Sequence, residues 1–472
     1  MGRKKSKAKI IEHVRITGTA DKGRSVGRDQ DGQVIFVEHV APGDVLDVII
    51  VRKRKGFMEG VPKSFHKYSD HRIAPFCEHY GVCGGCKWQH ITYQAQLMHK
   101  EKVVKDALNR IAHIEPGTFY PILASEKTAY YRNKIEFTFS NKRWLTRYEI
   151  AAGKSNYKNV LGFHRPAAFD KIVDIKHCFL QSEPSNQIRN TIRQIALEQK
   201  LSFFDIREQK GFLRNMILRI TTLDQVMLII SFAEDDAEKR SAYLDELLRR
   251  VPGIDSIYYC INAKPNDFIL DLDLQLYHGN EFIEEMLGDV RFRIGPKSFF
   301  QTNTRQAVRL FDVVKEFAGL SGDENVYDLY TGIGSIGLYL AKDCRQVVGI
   351  EEIGPAIEDA KINAALNNID NTVFYAGDVK NILTHDFARQ HGRPDVLITD
   401  PPRAGMHPKV VQMLLELEAP KIVYVSCNPG TQARDLAVLN EKYRLEKIRP
   451  VDMFPHTHHI ETVALLVLRE NR

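Results

Sequence analysis

The chain has 472 residues, of which 43% are hydrophobic and 27% charged, and this composition excludes collagen-like, low-complexity and wholly disordered proteins. No apolar stretch approaches the roughly 20 residues of a membrane span, and the basic start of the chain lacks the apolar core of a secretory signal. The seven cysteines are too few for a disulfide scaffold. We therefore expect a cytoplasmic protein with reduced thiols and no membrane partner.

Positive charge concentrates at the start of the chain. Residues 1–66 hold 14 lysines and arginines against 8 acidic residues, whereas the rest of the chain holds 52 of each. The basic residues cluster at positions 3–9 and 52–55. This asymmetry favours a polyanionic partner, either a nucleic acid or an anionic membrane surface. A solvated tail is an equally good interpretation of positions 3–9.

Residues 9–65 predict a small β-barrel. Short apolar strands are predicted at 10–18, 33–40 and 45–52, and residues 18–32 are predicted to form a long polar turn. A basic barrel of this kind is a common nucleic-acid-binding module.

The middle of the chain gives weaker signals. Residues 72–90 predict irregular structure, and residues 93–111 have helical periodicity without internal glycine or proline. Residues 129–290 mix strands and helices around a loop at 152–158.

From about residue 291 onward, predicted strands and helices alternate, as is typical of a doubly wound, largely parallel sheet. The predicted strands are 325–329, 346–350, 373–375, 396–399, 422–426 and 463–469, and the predicted helices include 336–342 and 355–367. We therefore predict three domains, over residues 1–66, 67–290 and 291–472.

Three cysteines lie close together in the irregular segment. Cys77, Cys83 and Cys86 stand in a loop rich in glycine and aromatic residues, and Cys178 is the best candidate for a fourth ligand. Structural zinc sites more often use two short cysteine pairs, whereas three clustered cysteines with one remote cysteine are more typical of a [4Fe–4S] cluster. The spacing predicts a metal site and favours iron–sulfur over zinc, with three unrelated buried thiols as the alternative.

A glycine-rich turn follows the strand predicted at 325–329. Gly332, Gly334 and Gly337 match the G-x-G-x-x-G pattern, and Glu351 ends the next strand, where a carboxylate would bind a ribose diol. The pattern predicts a nucleoside cofactor, either a nicotinamide dinucleotide or S-adenosylmethionine. A purely structural glycine turn is the alternative.

Three reactive residues stand at strand ends further along the chain. Asp400 and Cys427 each follow a predicted strand, and Glu461 precedes the last one. Methylation of a pyrimidine at its fifth carbon requires a thiolate that adds to the sixth carbon, a base that removes a proton, and a group against the base edge. Cys427, Glu461 and Asp400 supply these roles, although a buried thiol and an ion-paired strand end are the alternatives for the first two.

These motifs resemble those of the bacterial RNA uracil-5-methyltransferases, most closely the 23S ribosomal RNA branch, over nearly the whole chain. Ser426-Cys427-Asn-Pro and Asp400-Pro-Pro-Arg match the family's catalytic motifs, and Phe299-Phe300-Gln301-Thr-Asn matches its cofactor-contacting motif. The resemblance implies a Rossmann-like methyltransferase domain that uses S-adenosylmethionine. It also implies an N-terminal OB-like RNA-binding barrel, the TRAM domain, and a central α+β domain carrying a [4Fe–4S] cluster.

The resemblance also implies roles for individual residues. The cluster ligands would be Cys77, Cys83, Cys86 and Cys178. The cofactor-binding residues would be Gln301, Tyr330, Ser335, Glu351, Asp378 and Asp400. The family usually has Asp-Leu-Phe-Cys-Gly where this chain has Asp328-Leu-Tyr-Thr-Gly. Because the transfer RNA branch generally lacks both the TRAM domain and the cysteines, the resemblance implies 23S rRNA as the partner; no obligate protein partner is evident.

Other interpretations stay open on the sequence alone. They are a nicotinamide-dependent iron–sulfur oxidoreductase, a non-catalytic RNA-binding or iron–sulfur sensing protein, and an amino-group methyltransferase with a similar Asp-Pro-Pro motif. The segment 131–134, Phe299 and Phe300 are candidates for phosphate binding or stacking on a displaced base, or are ordinary surface and core positions. We interpret the histidines near residue 457 as a solvated or RNA-facing loop.

Overall fold

The computed structural model describes residues 9–470, so the basic positions 3–8 lie outside the described residues. The chain forms two compact units, one of Met1–Val103 with Phe454–His459 and one of Val104–Met453 with Ile460–Arg472. Within residues 9–470, no helix is long and apolar enough to cross a lipid bilayer.

The first unit contains a closed barrel in the strand order β1-β2-β3-β5-β4. The strands are β1 (Ile10–Thr19), β2 (Ser25–Arg28), β3 (Val34–Val37), β4 (Val45–Lys53) and β5 (Phe57–Lys67). Alternate apolar side chains, among them Val14, Ile35 and Leu46, fill its interior, as the period of two in a strand requires. The three predicted strands are thus confirmed. The long polar turn is wrong in part, because β2 lies within it and is held by pairing with β1 and β3.

Polar bonds fix the irregular segment after β5 against the barrel. Arg72 forms an ion pair with the fully buried Asp44 at 2.7 Å, and the indole nitrogen of Trp88 donates to the Gly23 carbonyl at 3.1 Å. Helix α1 (Tyr93–Ala107) follows and continues as a π-helical turn, Leu108–Ala112. This confirms the helix predicted at 93–111.

The segment Phe454–His459 belongs to this first unit. His456 is buried, its Nδ1 lies 3.1 Å from Gln96 Nε2, and its carbonyl accepts from the backbone of Trp88 at 3.0 Å. The expectation of a solvated loop is therefore wrong for His456, because backbone and amide partners replace water around it.

The second unit begins with a seven-stranded sheet in the order β13-β12-β11-β10-β7-β8-β9, on which α3 and α4 pack together. Its elements, with a short strand β6 that joins the other sheet, are β6 (Thr118–Phe119), β7 (Lys134–Lys142), α2 (Arg147–Ala151), β8 (Tyr157–Arg165), β9 (Ala168–Asp174), α3 (Ser185–Glu198), β10 (Leu213–Ile220), β11 (Val226–Phe232), α4 (Ala237–Arg250), β12 (Ser256–Ile261) and β13 (Gln275–Gly279). A hairpin of β14 (Ile283–Leu287) and β15 (Val290–Ile294) follows.

The rest of the second unit is a doubly wound sheet of eight strands in the order β18-β17-β16-β19-β20-β22-β21-β6. Its elements are α5 (Thr304–Ala318), β16 (Asn325–Leu329), α6 (Ser335–Leu340), β17 (Gln346–Glu351), α7 (Gly354–Leu366), β18 (Thr372–Ala376), α8 (Val379–Ile382), α9 (His385–His391), β19 (Val396–Thr399), α10 (Pro408–Leu417), β20 (Lys421–Ser426), α11 (Pro429–Leu439), β21 (Tyr443–Val451) and β22 (Glu461–Leu468). Strands β16 to β20 are parallel, and β22 runs antiparallel between β20 and β21.

The predicted parallel sheet is therefore confirmed, with strand bounds within two residues of those expected. Its central strands are continuous apolar runs because helices cover both faces, so neither face meets water. Ligands bind to such sheets at the carboxyl ends of the parallel strands. The loops at that edge hold most of the predicted site residues of this unit.

Candidate active site

The turn after β16 has an unusual backbone. Tyr330, Gly332 and Gly334 have positive φ angles of 64°, 59° and 83°, which cost a tyrosine energy and cost glycine almost nothing. A Cβ on Gly337 would lie 3.0 Å from Asp328 Oδ2 and 3.0 Å from a Val347 methyl group. Only glycine lets α6 approach the strands this closely.

Asp328 is buried beneath this turn. Its Oδ2 accepts hydrogen bonds from Thr331 Oγ1 at 2.5 Å and from the Gly337 N–H at 2.9 Å. Its Oδ1 is buried and, among residues 9–470, has no hydrogen-bond partner. Burial raises the pKa of Asp328 to about 6, and the charge of Glu351 adds to the shift. A buried acceptor without a partner fits a ligand that donates a hydrogen bond here.

Glu351 ends β17 beside the turn. Its Oε2 accepts from the Gly332 N–H at 3.1 Å and its Oε1 from the Ile353 N–H at 2.9 Å. The carboxylate is half-buried, so its remaining lone pairs can accept from a diol, as the sequence predicts for a ribose. Ser335 is the half-buried first residue of α6.

Tyr330 and Asp378 lie at the same edge. Burial raises the pKa of the Tyr330 phenol to about 12, and the charges of Asp378, Asp435 and Glu351 add to the shift. The Asp378 side chain caps α8 by accepting from the Lys380 N–H at 3.0 Å and pairs with the Lys380 ammonium at 2.5 Å. The ion pair lowers the pKa of Asp378, and it commits part of this carboxylate to its own helix.

Buried side chains hold the segment around Gln301. Asn133 donates from Nδ2 to the Gln301 carbonyl at 2.8 Å and to Thr304 Oγ1 at 2.9 Å, and its N–H donates to the Thr302 carbonyl at 2.8 Å. Asn303 caps α5 and donates to the Met453 carbonyl at 2.8 Å. These bonds attach Gln301, which is half-buried, to the edge of the sheet where β21 ends.

The two phenylalanines before Gln301 differ in exposure. Phe300 is 2% exposed and contacts Phe292, so it is a core residue. Phe299 is 73% exposed.

Cys427 is the first residue after β20, in a turn fixed by its neighbours. Asn428 caps α11 by accepting from the Gly430 N–H at 3.0 Å, and its Nδ2 donates to the Arg403 carbonyl at 3.0 Å. Ser426 Oγ accepts from the Asn428 N–H at 3.1 Å. The turn is thereby joined to the loop that follows Asp400.

Strand pairing brings Glu461 to Cys427. Ser426 on β20 is the antiparallel partner of Thr462 on β22, so Cys427 and Glu461 stand one step further along the same ladder. Glu461 is buried, and burial raises its pKa well above the usual range, with a further rise from the charge of Asp400.

Asp400 and Arg403 complete the charged groups. Burial raises the pKa of Asp400 to about 7, with a contribution from Asp328. Burial also raises the pKa of the Cys427 thiol to about 11; Glu461 and Asp400 add to this shift, whereas Arg403 opposes it. Burial at this edge therefore favours the protonated forms of a thiol and two carboxyl groups, and one guanidinium lies beside them.

The predicted metal ligands lie elsewhere. The turns of the first unit hold three half-buried cysteines, Cys77, Cys83 and Cys86. In these turns the Cys83 N–H donates to the His79 carbonyl at 2.8 Å, and the Gly85 N–H lies 3.4 Å from Cys83 Sγ. Cys178 is buried in the second unit, where its N–H donates to Asn186 Oδ1 at 2.8 Å. Accessible thiols with backbone N–H groups directed at sulfur are a donor set suited to iron–sulfur or zinc.

Three residues of this site had no assigned role in the sequence. Arg403 was visible only as the fourth residue of Asp400-Pro-Pro-Arg, and Asp328 only as the start of the glycine motif. Asn133 lies in a segment for which phosphate binding was one expectation; its side chain instead donates to the Gln301 carbonyl and to the Thr304 hydroxyl. No local pattern could have indicated that contact, because the partners are 168 positions apart.

Comparison with known proteins identifies the class. The tRNA (uracil-5-)-methyltransferase model matches residues 275–469, and the TRAM domain model matches residues 11–63. An uncharacterized RNA methyltransferase of Bacteroides thetaiotaomicron is 51% identical over 95% of this chain and 100% of its own length. One from Chlorobaculum tepidum is 38% identical over 97% of this chain and 96% of its own.

A solved structure extends the match to three dimensions. The tRNA (uracil-54, C5)-methyltransferase of Pyrococcus abyssi, in complex with S-adenosyl-L-homocysteine, is 32% identical, with a TM-score of 0.75 over 96% of this chain and 100% of that one. The fold and glycine turn thus belong to a methyltransferase that uses S-adenosylmethionine. The chain belongs to the RNA uracil-5-methyltransferase family and carries its TRAM domain. This sets aside the nicotinamide-dependent and non-catalytic interpretations.

Proposed function

We propose that this enzyme methylates carbon 5 of a uridine through a covalent bond between Cys427 Sγ and carbon 6, with Glu461 as the base. The observation that carries the proposal is the register of β20 and β22, which makes Cys427 and Glu461 neighbours at the sheet edge where the glycine turn also lies. The amino-group alternative would need no thiol at this position.

The reaction replaces the hydrogen on carbon 5 with a methyl group through a temporary bond between the enzyme and carbon 6. The Cys427 thiolate adds to carbon 6, and the electrons of the C5–C6 double bond move toward the carbonyl at carbon 4. S-adenosylmethionine, when bound, supplies an electrophilic methyl group that carbon 5 takes, and the C–S bond electrons stay on sulfur. Glu461 then removes the proton on carbon 5, the double bond re-forms, and Cys427 leaves as a thiolate.

The charges around Cys427 suit this order of events. The high pKa of the thiol keeps it protonated and unreactive without substrate, and Arg403 is the cation that stabilises the thiolate. The raised pKa of Glu461 makes it a stronger base than an exposed glutamate. Asp400 would hold the base edge or the cofactor, as its protonated form donates a hydrogen bond and its ionised form accepts one.

The residues at the glycine turn fit the cofactor. Glu351 would accept from the ribose hydroxyls, and Asp328 Oδ1 is available to accept from the cofactor, since no group within residues 9–470 donates to it. Gln301, Tyr330, Ser335 and Asp378 are the further residues that we assign to cofactor binding. Of these, Asp378 has the weakest support, since Lys380 already occupies its carboxylate.

For the substrate we propose 23S rRNA, on the resemblance of the TRAM domain and cysteine loop to that branch. Transfer RNA is the second candidate, because the Pyrococcus abyssi enzyme, which acts on tRNA, matches this chain over 96% of its length. The TRAM domain and cysteine loop alone therefore do not distinguish 23S rRNA from tRNA, since a tRNA enzyme has a similar fold over nearly the whole chain.

Covalent trapping tests the reaction and the substrate together. The protein, prepared without oxygen, is incubated with S-adenosylmethionine and with 5-fluorouridine-substituted fragments of 23S rRNA or tRNA, and adducts are located by mass spectrometry. Because fluorine cannot leave as a proton, the thiolate mechanism stops as a stable bond. We expect an adduct on Cys427 that is lost in Cys427→Ser and kept in Cys344→Ser, a control for a second thiol whose pKa burial raises.

The alternatives give different results in the same experiment. Methyl transfer without an adduct, unchanged in Cys427→Ser, would favour amino-group methylation. The RNA that forms the adduct names the substrate, so an adduct with tRNA alone would replace the 23S assignment.

We also propose that Cys77, Cys83, Cys86 and Cys178 bind a [4Fe–4S] cluster. The support is the donor set of three half-buried thiols in one loop, with Cys178 assigned by the family resemblance. Anaerobic reconstitution should give about four irons per chain and visible absorbance, both lost in Cys83→Ala and kept in Cys260→Ala. Stoichiometric zinc without absorbance would overturn the iron assignment.

A further inference from the structure

Helix α2 carries apolar side chains into solvent. Tyr148 is 88% exposed and Ile150 is 62% exposed. The helix is nevertheless held by a capping box, in which the Glu149 N–H donates to Thr146 Oγ1 at 3.3 Å and the Thr146 N–H donates to Glu149 Oε2 at 2.9 Å. Glu149 also pairs with Arg143 at 2.7 Å. Local bonds thus hold these two apolar side chains outward, where they gain nothing from burial.

The glutamate of this capping box is a firmly ionised partner. Hydrogen bonds from Thr146 and Arg143 lower the pKa of Glu149 to about 2. The attachment of the helix therefore persists throughout the neutral pH range. Because the helix that carries this exposed tyrosine is already fixed, the binding of a flat ligand to its ring costs little conformational entropy.

The chain around α2 is strongly basic. Residues 142–171 contain seven lysines and arginines against two acidic residues, whereas the chain beyond residue 66 is balanced as a whole. Lys154 is exposed in the loop that leads from α2 into β8, and Lys158 is exposed as the second residue of β8. Lys142 is buried and pairs with Asp205 at 2.8 Å, and Arg143 pairs with Glu149, so Lys154 and Lys158 carry exposed positive charge of this segment.

Aromatic rings and cations continue onto the adjacent strands. The Arg165 guanidinium lies 5.2 Å from the ring centre of Trp144, and Arg207 lies 5.6 Å from that of Phe169. Phe169 is 63% exposed. The Trp144 N–H donates to the Ile172 carbonyl at 2.7 Å, which connects the start of the α2 segment to β9.

We propose that this surface, defined as Tyr148, Ile150, Lys154, Lys158 and Phe169, binds a single-stranded segment of the substrate RNA. Unpaired bases stack on aromatic side chains, and lysines neutralise phosphates, so exposed rings beside cations match this ligand. An acidic protein would match the charge but not the exposed flat rings. The inference rests on RNA being the substrate and is independent of the mechanism at Cys427.

The test measures RNA binding by the full-length enzyme without methyl transfer. A short fluorescein-labelled single-stranded RNA of mixed sequence is titrated, with a duplex of the same sequence for comparison. We expect Tyr148→Ala to weaken single-strand binding at least about fivefold through lost stacking. We expect Lys154→Gln with Lys158→Gln to reduce the slope of log affinity against log salt by about 1.4, the value for two phosphate contacts.

Matched variants separate this role from a general effect. Leu197→Ala, which removes an exposed apolar side chain from α3, should leave binding unchanged. Lys154→Arg with Lys158→Arg should retain the parent salt slope. Unchanged affinity and slope in Tyr148→Ala and in the glutamine pair would overturn the proposal in favour of a protein partner. An equal loss in Leu197→Ala would also overturn it.

Discussion

At the scale of single residues, burial and two neighbouring carboxyl groups oppose ionisation of the thiol at this site. Burial, Glu461 and Asp400 raise the pKa of Cys427 to about 11, whereas Arg403 lowers it. The thiolate is therefore a small fraction at neutral pH, and this fraction grows as pH rises. In the proposed mechanism the raised pKa of Glu461 acts in the same direction, because Glu461 must be ionised to remove a proton.

The first prediction concerns pH and Arg403. We expect kcat/KM to rise with pH, approaching about tenfold per pH unit below the thiol pKa. Arg403→Gln should raise that pKa, so the profile moves to higher pH and the rate at neutral pH falls. Initial rates of methyl transfer from radiolabelled cofactor measure this, with Arg389→Gln on α9 as the control. A pH-independent rate would contradict it.

The second prediction concerns stability. Asp400 binds its proton more tightly in the folded protein than in the unfolded one, because its pKa rises from 3.8 to about 7. Ionising it therefore costs stability, and this cost develops between about pH 4 and about pH 7. Asp400→Asn removes the cost, so its Tm relative to the parent should be higher at about pH 8 than at about pH 5.

The matched control is Asp378→Asn. The pKa of Asp378 is lowered in the folded protein, so its ionised form stabilises the fold and that stabilisation is lost in acid. The Tm of Asp378→Asn should therefore lie further below that of the parent at neutral pH than at acid pH. A parallel pH dependence of the two variants would refute the assigned signs.

At the scale of elements, the glycine turn and parallel strands are predictable because their determinants are local. Val396–Thr399 is a continuous apolar run before a polar loop, and the glycines are required by the turn itself. The sequence does not predict strand β21, because charged residues interrupt its apolar pattern at Arg444, Glu446 and Lys447. Strand β2 has one apolar residue and owes its form to its two partners.

The sequence offers candidate residues for the site but not their arrangement in space. The reactive residue types could be selected because the chemistry requires them. The adjacency of Cys427 and Glu461 depends on β22 entering between β20 and β21, a non-local pairing that no pattern within either strand encodes.

The third prediction concerns an element contact. We infer that Asn133 is a positioning residue, since its amide donates to the Gln301 carbonyl and to the Thr304 hydroxyl. We expect Asn133→Ala to raise the KM for S-adenosylmethionine about tenfold, as for two buried hydrogen bonds lost, with a smaller change in kcat. Asn215→Ala on β10, which removes a buried amide bonded to Glu136 and Thr138, controls for stability. Equal effects of both variants on KM would contradict a positioning role.

At the scale of the whole molecule, each compact unit has its own apolar core. The barrel interior includes Val14, Ile35 and Leu46, whereas the large sheet is packed around residues such as Leu329 and Ile422. The cysteine loop has few apolar residues, and its turns are held by backbone bonds and by Tyr80, whose hydroxyl donates to the Lys87 carbonyl at 2.7 Å. If the four cysteines bind the proposed cluster, the metal contributes to the order of this segment.

The fourth prediction follows for metal removal. Chelating the iron should expose residues 77–87 to proteolysis, because the thiolates would lose the centre that joins them. The barrel should persist, since its core does not involve these cysteines. Limited proteolysis with mass spectrometry of the metal-loaded and chelated protein measures this. First cleavage within β1–β5 would contradict it.

The position of β22 has a consequence for biosynthesis. Strands β20 and β21 are both translated before the strand that separates them in the sheet. A nascent or truncated chain that lacks Glu461–Leu468 therefore exposes the unpaired edge of the apolar strand β20. Such an edge promotes aggregation or binding by chaperones. Such a chain also lacks Glu461, the carboxyl group that the pairing of β22 brings to Cys427. Strand β22 therefore both covers the edge of β20 and completes the proposed catalytic pair.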